Sequence, residues 1–119
     1  MRFLSIVKSA ENQGPAPQAL HGAMAKLIAD SLQDRSLVQT GGLGASASGF
    51  RVRSTGGKLT VTDGPFAEAK EVVGGYAVLE WESREKAIAG AVAFMRLHTE
   101  HWPSWEGECE VRPITFLAP

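Results

Sequence analysis

Ten consecutive residues, Thr62-Asp63-Gly64-Pro65-Phe66-Ala67-Glu68-Ala69-Lys70-Glu71, hold the densest group of side chains able to do chemistry. The chain has three aspartates, and Asp30 and Asp34 fall in a helical stretch. Asp63 closes an extended one, where a rigid strand end can aim a carboxylate into a cleft. The alternative use of an Asp before Gly-Pro is to bond its own backbone downstream in a turn. Phe66 either lines a pocket or plugs the core. Glu68, Lys70 and Glu71 either hold a polar ligand or form a solvated Glu–Lys turn. His98 and His101 stand three apart, on one face of a helix, and with Glu106 or Cys109 have the residue types of a metal site. The third ligand has no fixed place, so no metal is assigned. His also suits a helix C-terminus. Trp102 and Trp105 flank Pro103 and are candidates for a ligand wall, a core cap or a subunit contact. Cys109 has no cationic neighbour and reads as a structural thiol.

The elements that must carry these residues follow from periodicity. Residues 2–8 and 37–43 read as strands. From Gln18 to about Arg35, Leu20, Met24, Leu27, Ile28 and Leu32 recur at helical spacing. Phe50, Val52 and Ser54 alternate with Arg51 and Arg53, and Leu59, Val61 and Asp63 alternate in the return strand. Both segments predict half-buried strands joined by a Gly56-Gly57 turn. Residues 76–82 form another strand, with Gly74-Gly75 permitting a bulge at its entry. Ser83 caps a helix from Arg84 whose expected buried stripe is Ile88, Ala91, Val92 and Met95. A last strand runs over 109–116. The order is β-α-β-β-α-β with an extra hairpin inserted, which predicts an α+β fold: a mainly antiparallel sheet with two helices on one face. The other face is expected to be apolar and exposed, and a second subunit is its simplest cover.

Composition removes several function classes. Twelve Lys and Arg against thirteen Asp and Glu give a net charge of −1, so no basic surplus supports nucleic-acid binding. GGLGASASG lacks the G-K-[ST] ending of a phosphate loop and leads into a strand. One cysteine excludes an internal disulfide and fits a reducing compartment. The N-terminal apolar stretch of about five residues is far short of a signal h-region, and no run approaches the roughly 20 residues of a membrane span. The expectation is a soluble cytoplasmic chain of one domain over residues 1–119. Nine of the thirteen glycines lie between Gly41 and Gly75, which marks that window for tight turns and close backbone approach.

VTDGPFAEAKEVVGGY resembles the signature of the YCII-related family, in its DGPF-motif branch. MRFLSIVK, GGLGASASGFRVRSTGGK and GECEVRPI are similar to the same branch, so the resemblance covers most of the chain. It implies a ferredoxin-like domain that pairs into a dimeric α/β barrel. It further implies a proposed His–Asp pair, with Asp63 as the carboxylate that orients the ring and His21, on the first helix, as the only candidate histidine. Such a pair would do isomerase- or lyase-like proton transfer on an unknown small molecule, without a cofactor. Phe66, Glu68, Lys70 and Trp102 would then contact that ligand. The other implication is a non-catalytic ligand-binding or regulatory module, since the branch is often linked by genomic context with extracytoplasmic-function sigma factors. Ser36 stands where the branch usually has Gly.

Overall fold

The computed structural model describes residues 1–115. Its elements are β1 (Arg2–Ser9), α1 (Gln18–Gln33), β2 (Leu37–Gly42), a short 3₁₀ turn (Ser46–Ser48), β3 (Phe50–Thr55), β4 (Lys58–Asp63), β5 (Val72–Glu80), α2 (Arg84–His101) and β6 (Gly107–Pro113). Four strands pair antiparallel in the order β2-β5-β1-β6, while β3 and β4 pair only with each other. Without the hairpin, this path is the ferredoxin-like β-α-β-β-α-β topology. The final strand stops at Pro113, and the expected end at Phe116 lies outside the described residues. No helix among the described residues is long and apolar enough to cross a membrane.

Register assigns the two faces of the sheet. Phe3 pairs with Leu79 and Pro113, Ser5 with Ala77 and Val111, and Val7 with Gly75 and Cys109. Directly opposed residues share a face, so this set turns toward the helices. Leu4, Ile6, Val78 and Tyr76 occupy the other face. That face is less apolar than expected. Its central strip is half-buried, and Lys8, Glu108, Glu110 and Arg112 form an ion-pair network along the β6 side. Hydrogen bonds that the Lys8 amine donates to Glu110 and Glu108 raise its pKa and keep it charged. The bulge expected at Gly74-Gly75 is present: Val7 pairs with Gly75 and Lys8 with Val73, leaving Gly74 unpaired.

The first helix follows its hydrophobic pattern except at its last turn, and the second does not. In α1 Leu20 is buried and Met24, Leu27 and Ile28 are half-buried, but Leu32 is exposed. The helix closes on Asp34, whose Oδ1 accepts from Ser36 N at 2.8 Å, and on Arg35 in the left-handed region at φ 65°. The turn therefore uses Arg35, not Ser36, where a glycine is favoured. In α2 Ser83 Oγ accepts from Lys86 N at 3.2 Å, as a cap should. The expected stripe is rotated: Ile88 and Val92 are exposed, whereas Ala87 and His98 are buried and Gly90, Ala91 and Phe94 half-buried. The cause is Trp81. A Cβ on Gly90 would sit 2.5 Å from its ring, so the helix presents its small residues to the indole and leaves the larger ones outside.

The hairpin also departs from expectation. Gly56 and Gly57 take φ of 58° and 78°, as a two-residue turn of the primed type requires. Neither strand is half-buried, however. Phe50, Val52, Leu59 and Val61 are all exposed, because β3–β4 leaves the main sheet and no element among the described residues covers it.

Candidate functional site

The helices do not close fully on the sheet. Between them lies a cavity of about 660 Å³ lined by β1 and β5 below and by α1 and α2 above. That volume is in the range of small-molecule sites. Met24, Leu27, Ile28, Leu79, Phe94 and Trp105 supply an apolar wall, and Ser5, Ser31, Thr40 and His98 supply polar groups. Ser5 is buried, and its hydroxyl lies 3.0 Å from Cys109 Sγ.

His98 is the titratable group best placed to act in this space. It is buried in the last turns of α2, one helical turn beyond Phe94, and its ring is held between Phe94 and Trp105, with centroids 4.9 and 4.5 Å away. Nδ1 lies 3.2 Å from the Phe94 carbonyl oxygen. A carbonyl only accepts, so Nδ1 carries the proton and Nε2 the lone pair. Nε2 has no protein partner among the described residues. Desolvation by the surrounding rings holds the His98 pKa below its ordinary value of 6.5, outweighing the opposite effect of the Phe94 carbonyl. The result is a neutral imidazole, fixed in one tautomer, in the wall of an apolar cavity. This is the form that accepts a proton from a bound weak acid.

The Asp63 corner forms a second, separate arrangement. Glu11 accepts from Ser46 N at 2.7 Å and from Ser46 Oγ at 2.5 Å, and these bonds lower its pKa. Ser46 Oγ in turn accepts from Phe66 N at 3.2 Å, and Gly64 N donates to Gly49 O at 2.9 Å. One buried hydroxyl thereby ties the loop after β1, the 3₁₀ turn and the segment after β4 together. Arg51 stacks on the Phe66 ring at 3.7 Å and pairs with Glu68, whose pKa falls through hydrogen bonding to its own backbone and to Arg51.

Each residue singled out by sequence has a definite place. Asp63 is exposed at the end of β4. His21 is exposed in the first turns of α1, and no hydrogen bond joins it to Asp63 among the described residues. Phe66 is half-buried under Arg51, Glu68 is paired, and Lys70 is exposed. Trp102 packs on Trp105 with centroids 6.2 Å apart, and it is Trp105 that reaches the cavity. His98 and His101 are not gathered with a third ligand: no group of three His, Cys, Asp or Glu side chains among the described residues could hold a metal. The structure thus brings together Arg51, Phe66 and Glu68, and separately His98 and Trp105. The sequence offered His98 as a metal ligand or as a residue suited to a helix C-terminus. The signal for its other role was Phe94 four residues before it, which places an aromatic ring on the same helix face.

The sequence model of one protein family, described as the YCII-related domain, matches residues 1–114. No curated protein matches the chain.

Proposed function

The chain belongs to the YCII-related family, and on that footing we propose that it binds a small, largely apolar molecule between sheet and helices and accepts a proton from it through His98. The observation that carries this reading is the Nδ1 contact to the Phe94 carbonyl, which leaves Nε2 as the lone-pair nitrogen of a buried ring in the cavity wall. The ligand class follows from the lining: an aromatic or alicyclic body for the Met, Leu, Ile, Phe and Trp side chains, and one weakly acidic group for the histidine. Isomerase- or lyase-like chemistry needs this first proton transfer.

Three finer readings stand beside this proposal, and the Asp63–His21 pair among them lies outside its cavity. The DGPF string from Asp63 to Phe66 supports membership of the DGPF branch. Asp63 and His21 are retained as proposed proton-transfer partners because Asp63 is a carboxylate held at a rigid strand end. A homodimer closing the open sheet face is supported by the apolar strip of Leu4, Ile6, Tyr76 and Val78.

Titration with phenol and its ring-substituted analogues, followed by calorimetry and by thermal shift, tests the reading. Wild type should bind, and His98→Gln should bind phenols more weakly than it binds toluene. Equal binding of phenol by wild type and H98Q, with no turnover in either, would favour a ligand-holding module without proton transfer. Failure of every probe to bind would remove the cavity from consideration.

A further inference from the structure

The β3–β4 hairpin is an amphipathic ribbon whose apolar side is left exposed by the described residues. Val52 faces Val61, Ser54 faces Leu59 and Phe50 faces Asp63, so the four large apolar side chains share one face. Arg51, Arg53, Thr60 and Thr62 share the other. Phe50, Val52, Leu59 and Val61 are 67%, 56%, 75% and 66% exposed. A two-stranded ribbon is at best marginally stable alone in water and needs a further layer against its apolar face.

The whole chain shows the same deficit. A compact protein of this mass should expose roughly 6,200 Å², but this one exposes 8630 Å². A compact chain of this length has a radius of gyration of about 13.5 Å, and this one has 16.2 Å. The excess surface is well above the roughly 800 Å² that each partner buries in a standard interface. We propose that the hairpin is an arm that lies across a second copy of this chain and buries its Phe50, Val52, Leu59 and Val61 face there. A second copy is the fitting occupant because each chain offers both an uncovered ribbon and an open sheet face. One two-fold operation covers both features on both chains. This inference rests on the homodimer reading above and goes beyond it by making the arm part of the contact.

Sedimentation and hydrogen exchange test it on the full chain. Wild type should be dimeric at micromolar concentration. The triple variant Val52→Thr, Leu59→Thr, Val61→Thr should dimerise roughly a hundredfold or more weakly while keeping the far-ultraviolet dichroism of the main fold. A variant that dimerises as tightly as wild type would overturn the arm and leave a dimer through the sheet face standing. A monomeric wild type would overturn both, and would point to an unrelated partner for the ribbon. If the variant fails to fold, wild-type exchange decides. Amides from Arg51 to Thr62 should lose protection on dilution into the monomer range, and equal exchange at both concentrations would overturn the arm.

Discussion

The carbonyl oxygen of Ser46 lies 1.7 Å from where a Cβ on Gly64 would stand. The obstacle is backbone, and it cannot swing aside as a long side chain could. Gly64→Ala must displace the 3₁₀ turn or the strand end. Such overpacking costs about 3 kcal/mol, and urea unfolding should show a loss of that order. Gly22→Ala is the matched control. Gly22 sits in α1 with nothing within 4 Å of its missing Cβ, so that change should stabilise by up to about 1 kcal/mol.

Ser46→Ala should destabilise by about 1–3 kcal/mol, because Phe66 N loses its acceptor in a buried setting. The same contact gives an acid signature. Hydrogen bonds from Ser46 hold the Glu11 pKa below its ordinary 4.5. The Glu11 contribution is therefore present above that value and fades as pH falls through the lower folded one. Chemical denaturation at stepped pH should show this acid loss in wild type and a smaller one in S46A.

Arg35 pays a backbone penalty of about 1 kcal/mol for its left-handed conformation at the end of α1. Arg35→Gly should raise stability by a similar amount, since Gly is the usual residue there. A decrease would mean that the arginine side chain contributes more than the strain costs.

His98 has its own pH window. Its folded pKa lies below the ordinary 6.5 because burial disfavours the charged ring. Below 6.5 the unfolded chain therefore binds the proton first. Stability tied to the neutral ring is present above 6.5 and is lost as pH falls through the lower folded value. His98→Gln should flatten that part of the stability profile.

Much of the fold was legible in the sequence, for local reasons. The β-branched and aromatic residues of β1, the Ser83 cap and the Gly56-Gly57 turn each specify their own geometry without help from distant residues. Burial was less legible, because it depends on partners that periodicity does not name. Ile88 and Val92 read as core, yet the space against Trp81 admits only Gly90 and its small neighbours. Val52 and Val61 alternate as a half-buried ribbon should, but no element among the described residues packs on them. For the candidate site, the string around Asp63 drew attention by composition. The place of His98 in a cavity wall was not legible, because it comes from Trp105 and the Phe94 carbonyl, and those contacts exist only once α2 is docked.

The protonation state of the His98 ring decides whether the cavity can take a proton. Nitrogen-15 NMR of imidazole-labelled protein at pH 7, with and without phenol, reads it without a substrate in hand. The prediction is a proton on Nδ1 and a bare Nε2 whose resonance shifts when phenol binds. A ring protonated on Nε2 in the free protein, or an Nε2 resonance unmoved at saturating phenol, would contradict it.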